Sequence, residues 1–268
     1  MSIYSELRLI SNVIFVALIC LFQTAQAHAG SDACSEVKLN GSGVWYPVSM
    51  RQEASGTLNG VFPDLGREIL TSLHVNVAEG PDLPWNRVLV LLEKGQIDVL
   101  AGAYKTDERL KKYGVSRPVM QEEVGIFIRK SLESRPQSLK DLIGLRGVAP
   151  FGASFGEEFE NFATESLSID RQPFDDFKTY MRLLMEDKAD YLVIARQDGV
   201  MMIDETGAVD LVEVLPWPAA VNTLHFLFSR ATPCIALLEP FNEALTKRID
   251  AGALKGLLDS YQMSEGDG

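Results

Sequence analysis

The stretch GQIDVLAGAYKTDERLKKYGVSRPV, residues 95–119, decides the fold. Its apolar run at 97–101 reads as a buried strand that ends in a small-residue turn. Thr106, two acids and Arg109 follow, where a helix begins. This order sets a permanently charged guanidinium just past the carboxyl end of a strand. In an open α/β sheet that is where ligands gather, and a guanidinium holds a carboxylate through two parallel hydrogen bonds. The alternative is an Arg109 that lies on a helix face and pairs with Asp107 or Glu108.

Working outward, the segment has an echo. Residues 91–100 (LLEKGQIDVL) and 183–192 (LLMEDKADYL) both read as a helix end, a polar turn, an aspartate and an apolar strand. Helical patterns precede both, through Trp85, Val88, Leu89 and Leu92 in one and Phe177, Tyr180, Met181 and Leu184 in the other. Two α-then-β units about 90 residues apart predict two α/β lobes of related construction. Further strands are predicted at 37–39, 74–77, 124–129, 145–149 and 224–228. Helices are predicted at 62–73, 139–143 (introduced by Ser138) and 157–163, with two more over 235–261 broken around Gly252. Strands alternating with helices at short spacing imply largely parallel sheets.

The 268 residues are 46% hydrophobic and 23% charged, ordinary for a globular protein with a real core. Residues 1–27 read as a secretory signal: Arg8, an apolar run at 13–22 too short for a membrane span, then Ala25-Gln-Ala27 at the cleavage positions. Ala27-His-Ala29 is a second cleavage option. Lipidation of Cys20 is disfavoured by Ile19 before it. A soluble exported protein, most simply periplasmic, is the expectation. Its net charge of −12 argues against nucleic acid or anionic lipid as a partner. With Cys20 removed, Cys34 and Cys234 remain, which in an oxidising compartment suggests one disulfide, the alternative being two separate buried thiols. His28, His74 and His225 are widely separated, so neither a metal nor a cofactor is expected.

Residues 84–119 resemble the type II periplasmic solute-binding proteins of ABC transporters, the polar amino-acid-binding family. Gly95, Asp98, Gly102, Thr106, Arg109, Ser116 and Pro118 match its pattern position by position. GVFPDLGREIL (60–70), SLKDLIGLRGVAPFGASFGEEF (138–159) and FNEALTKRIDAGALKGLLDSY (241–261) extend the likeness over most of the chain. The resemblance implies a monomer of two lobes joined by crossing strands, 30–124 plus 223–268 forming one and 125–222 the other, inserted, one. Each lobe would hold a mixed, mainly parallel sheet flanked by helices, and the ligand would lie between them. Arg109 would bind the ligand's carboxylate, with the backbone around Ala103 and Thr106 assisting. Gly152, Ala153 and Ser154 would meet it from the other lobe with amides at a helix N-terminus. Trp45, Tyr46 and Tyr104 would form aromatic walls. The partner would be a membrane permease or a sensor.

Two features pull against a simple amino-acid carrier. The family's amine-binding aspartate falls at Ala195, although Asp198 could take over its role if the loop is rearranged. Without it, a carboxylate ligand lacking a free amine becomes plausible. Gly152-Ala-Ser154-Phe-Gly156 also fits the Gly-x-Ser-x-Gly nucleophile elbow, with His225 downstream, but His225 sits in an apolar strand pattern. The preferred alternative is an enzyme on the same fold, resembling periplasmic cyclohexadienyl dehydratases. It would need a cleft acid of raised pKa, for which Glu157, Glu158, Asp175 and Asp198 are the candidates.

Overall fold

The computed structural model describes residues 34–52, 55–171 and 178–263, so the predicted signal at 1–27 lies outside the described residues. Its strands, in chain order, are β1 (Glu36–Gly41), β2 (Val44–Trp45), β3 (Ser49–Arg51), β4 (Leu58–Asn59), β5 (Asn76–Glu79), β6 (Val99–Tyr104) and β7 (Tyr113–Val115). Then follow β8 (Met120–Arg129), β9 (Arg146–Val148), β10 (Ser168–Asp170), β11 (Tyr191–Ala195), β12 (Val212–Val214) and β13 (Ala220–Ser229).

The main sheet runs β10-β9-β11-β8-β13-β6-β1-β5. β5, β1 and β6 are parallel to one another, as are β10, β9 and β11. Each parallel trio is flanked by a long antiparallel strand, β13 against β6 and β8 against β11. These two long strands cross between the halves. β13 pairs with β8 over Ala220–Leu224 and with β6 from Leu224 onward, while β8 leaves β13 at Val124 for β11. The result is a two-lobed α/β protein of the periplasmic binding type.

The core divides in the same way. One pair of hydrophobic clusters draws on residues before 121 and after 223; the other pair lies within 124–220. In the first, the Val61–Ser72 helix buries Phe62, Leu65, Ile69 and Leu70, and Phe226 packs between Phe62 at 5.0 Å and Phe241 at 4.9 Å. Each such ring contributes about 1.5–3 kcal/mol through burial.

The sequence echo is a repeated structural unit. Helices Trp85–Glu93 and Lys178–Met185 both end by wrapping the chain through a left-handed residue, Gly95 at φ 70° and Asp187 at φ 58°. The amides of Gln96 and Lys188 return to the carbonyls of Leu91 and Leu183. Asp98 then accepts the Lys38 amide at 2.9 Å and Asp190 accepts the Arg146 amide at 2.8 Å. Each aspartate thus completes the ladder one residue before its strand pairs with its parallel neighbour.

Several boundaries differ from expectation. The strand predicted at 74–77 begins at Asn76, because the helix before it ends with His74 in the left-handed region at φ 61°. The element at 139–143 is one 3-10 turn, Leu139–Leu142, and Ser138 bonds the Asp141 carboxylate instead of capping a backbone amide. β8 and β13 extend four residues earlier than predicted, through polar stretches that pair only with each other. The helices Leu238–Asp250 and Ala253–Met263 do break around Gly252. Cys34 and Cys234 are joined, tying the start of β1 to the 3-10 turn Pro233–Leu237.

Candidate functional site

β6 carries the first half of the site. Within it Gly102 is the extra residue of a β-bulge opposite β13, since Ala101 faces Phe226 and Ala103 faces His225. Gly102 has φ 90°, and a Cβ there would lie 2.6 Å from Val48. Ala103 and Tyr104, which follow the bulge, are both buried. A short helix, Asp107–Lys112, follows at once, its N-terminus capped by Thr106, whose Oγ1 accepts the Arg109 amide at 3.2 Å.

Arg109 therefore leaves the first turn of that helix facing back over β6. Its Nη1 donates to the Tyr104 carbonyl at 2.7 Å, and its guanidinium lies 5.7 Å from the centre of the Trp85 ring. Burial pushes its pKa down. The ion-pair alternative fails, because Glu108 pairs with Lys112 at 2.9 Å and, among the described residues, Arg109 forms no salt bridge.

Beside it stands an aromatic group. Trp45 meets Tyr104 edge-on at 5.2 Å and Trp85 at 6.4 Å. Tyr46, the other expected wall, instead donates its hydroxyl to the Tyr261 carbonyl at 2.7 Å, on the C-terminal helix.

The group's polar edges converge on Glu122, a residue the sequence reading passed over. Glu122 is 7% exposed. One of its oxygens accepts Trp45 Nε1 at 3.0 Å, and the other accepts the Tyr104 hydroxyl in a short hydrogen bond. Burial pushes its pKa up to about 7 even though both hydrogen bonds favour the charged form. The signal was present: Met120, Glu122, Val124, Ile126 and Ile128 alternate along one face of β8. The pair Glu122-Glu123 resembles a polar turn, which hid the start of that strand.

Asp198 arrives from the other lobe. β11 ends at Ala195, and the Arg196–Thr206 helix begins directly, so Asp198 sits in its first turn. Burial first, then the negative charge of Glu122, push the Asp198 carboxyl well above the usual range, while a hydrogen bond from the Tyr46 amide pulls it down. The Asp107 amide donates to Glu157 at 3.1 Å, a second contact between the lobes.

Gly152, Ala153 and Ser154 need correction. They form a turn, not a helix N-terminus, because the helix starts at Glu157 after Gly156. Ala153 gives its carbonyl to Arg171 at 2.7 Å, and the Phe155 amide is taken by Glu160 at 2.8 Å. The nucleophile-elbow reading fails on the same ground, and His225 has both ring nitrogens engaged, with Ser116 and Thr223 at 2.8 Å each. Of the acids nominated for a dehydratase, Asp175 lies outside the described residues and Glu157 is held by the Asp107 amide. The described residues contain no cluster suited to a metal ion and no helix long and apolar enough to cross a membrane.

The chain is similar to the L-cystine-binding protein TcyJ of Escherichia coli strain K12, at 25% identity over 225 residues covering 81% of this chain and 79% of that one. Among solved structures it is similar to a mutant of the arginine-binding protein of T. maritima, with a TM-score of 0.70, 20% identity, and coverage of 85% of this chain and 96% of that one. It is also similar to a histidine kinase sensor domain described as resembling periplasmic binding proteins, with a TM-score of 0.70, 20% identity, and coverage of 86% and 97%. The family model for bacterial extracellular solute-binding proteins, family 3, matches residues 38–264, and the chain belongs to that family.

Proposed function

We propose that the protein captures a small carboxylate-bearing solute, an amino acid or a related acid, between its lobes in the periplasm. Residues 30–124 with 223–268 form one lobe and 125–222 the other, and their closure presents the loaded protein to a membrane permease or to a sensor. The observation that carries this reading is Arg109. A guanidinium set beyond the end of β6, partly removed from water, over an indole and without a carboxylate of its own among the described residues, is prepared for one brought by a ligand. Ala103 and Thr106 shape the strand end around it, and Trp45 and Tyr104 form the wall. Tyr46 contributes through its amide, and the turn at Gly152, Ala153 and Ser154 closes the far side.

Replacing Arg109 by Ala tests this. Because Arg109 lies in a short helix that buries none of its residues, and contributes no ion pair among the described residues, the variant should fold. In a thermal-shift screen of amino acids and dicarboxylates, wild type should gain about 2.7 kcal/mol of stability at a hundred times the dissociation constant. The variant should lose that gain. Retained affinity in Arg109→Ala overturns the assignment.

A further inference from the structure

We infer that Glu122 and Asn222, opposite one another on the two crossing strands, are the grips that hold the lobes at their closed angle, one fastened to each lobe. This rests on the binding reading above for the purpose of closure, while its geometry can be tested without a ligand.

β8 and β13 pair with each other over 120–124 and 220–224, the ribbon that runs between the lobes. Directly opposed residues of an antiparallel pair share a face. Met120 with Leu224, Glu122 with Asn222 and Val124 with Ala220 therefore lie on one face, and Glu122, Val124 and Leu224 are buried there. Gln121, Glu123 and Val221, from the rungs between, are exposed. A polar rung thus stands between two apolar ones on the inner face, where polar groups cost stability unless they are hydrogen-bonded. Both members of the rung are bonded, and to opposite lobes.

Glu122 reaches the first lobe. It accepts Trp45 Nε1 at 3.0 Å and the Tyr104 hydroxyl, while the Tyr104 carbonyl accepts Arg109 at 2.7 Å. Asn222 reaches the second lobe, where its Nδ2 donates to the Phe155 carbonyl at 2.9 Å. Its side chain lies against Gly156, on which a Cβ would collide with Asn222 Oδ1. Phe155 is in turn fixed within its own lobe. Its amide donates to Glu160, and Arg171 lies over its ring at 5.4 Å while donating to Glu160 and to the Ala153 carbonyl. A chain of contacts thus runs from Arg109 through Tyr104 and Glu122, across one rung, to the turn at 153–156. The lobes touch across the cleft in the same structure, the Asp107 amide donating to Glu157 at 3.1 Å. A two-stranded ribbon is pliant by itself; grips at both ends of one rung stiffen it at the angle that this touching arrangement requires. Because they act in series, loss of either one frees the hinge, and loss of both frees it no further.

The test is the distance between the lobes of the empty protein, read by spin–spin coupling between nitroxides on Thr71→Cys and Glu165→Cys, exposed positions on one helix of each lobe. Glu122→Ala and Asn222→Ala should each broaden the distribution toward longer distances, and the double variant should broaden it no more than the wider single. Glu122→Gln, which keeps both hydrogen bonds, should match wild type. Val124→Ala, on the neighbouring rung, should lower the melting temperature and leave the distribution unchanged, which separates hinge control from packing. With the solute that most stabilises wild type in the screen above, dissociation should quicken about tenfold in Glu122→Ala and in Asn222→Ala, the effect of a lost hydrogen bond or two. Wild-type distributions in both of these variants overturn the inference, and so does broadening that sums in the double variant or that Val124→Ala reproduces. If Glu122→Ala does not fold, Asn222→Ala set against Glu122→Gln and Val124→Ala decides alone. If no solute binds, the carboxylate reading fails and the distances still decide this one.

Discussion

Replacing Glu122 by Gln should make the empty protein more stable at pH 8 and nearly unchanged at pH 5. Glu122 is almost wholly buried, and burial lifts its carboxyl from an ordinary 4.5 to about 7. A carboxyl raised on folding binds more protons in the native state than in the unfolded one between those two values. Stability is therefore fully present below about 4.5 and is lost as pH rises through about 7. At about 1.36 kcal/mol per unit, the whole window is worth about 3 kcal/mol, of which about 2–3 kcal/mol falls between pH 5 and 8.

A glutamine side chain has nearly the same shape as the glutamate it replaces. Its carbonyl can accept from Trp45 and its amide can donate to the Tyr104 oxygen, so the geometry survives without the charge. The assay is urea unfolding of wild type and Glu122→Gln at pH 5 to 8, read as the difference between them. Taking the difference matters because other groups titrate too. Asp198 is raised and contributes in the same direction, whereas His225, lowered by burial, costs stability as pH falls through its ordinary 6.5. Asp190, held at about 2 by Arg146, stays ionised throughout this window. A difference that stays constant from pH 5 to pH 8 would falsify the assignment of Glu122 as the buried, proton-holding acid.

Two further outcomes follow from the frame that carries the site. Gly102→Ala places a methyl group 2.6 Å from Val48 in a backbone region that alanine avoids, and should cost about 1–3 kcal/mol by denaturant titration; an unchanged midpoint would mean that the bulge at the end of β6 is not required. Reducing the Cys34–Cys234 bond, which closes a loop with a sequence separation of 200, should lower stability by about 2–5 kcal/mol. An identical melting temperature with and without reductant would show that it contributes nothing.

Much of the fold was legible because its signals are local. The turn after each paired helix needs a left-handed residue, and Gly95 advertises it; Asp187 does the same less openly. The aspartates at 98 and 190 stand where a parallel ladder begins, and the apolar runs after them are buried on both faces. Arg109 was legible for the same reason, as a strand end followed by a helix cap at Thr106. Asp198 was named only on the condition of a rearranged loop, and Glu122 not at all, because the placement of both is tertiary. Glu122 finds its hydrogen-bond partners in Trp45, 77 residues upstream, and in Tyr104 on β6. Asp198 reaches the cleft only because a helix begins immediately at Arg196, turning the chain before a strand pattern could carry it away. The turn at 152–154 was mistaken for the helix start, since Gly156, not Gly152, opens the helix.

The two halves of the chain build one backbone unit twice. Each half ends a helix, bonds an aspartate to its neighbour's amide, runs a buried strand toward the middle of the sheet and starts a helix at the strand's end. What differs is the side chain that the new helix presents in its first turn. After β6 it is Arg109, held over Trp85 and the Tyr104 carbonyl; after β11 it is Asp198, held by the Tyr46 amide beside Glu122. Similar backbones thus end in a guanidinium after β6 and in a carboxyl group after β11. On the proposed function, closing the lobes on an empty cleft would leave Arg109 without a counter-charge, while closing them on a carboxylate-bearing solute would supply one. A ligand that drives such closure must bind the closed state better than the open one, and on the proposed function the counter-charge it brings to Arg109 is where that difference would arise.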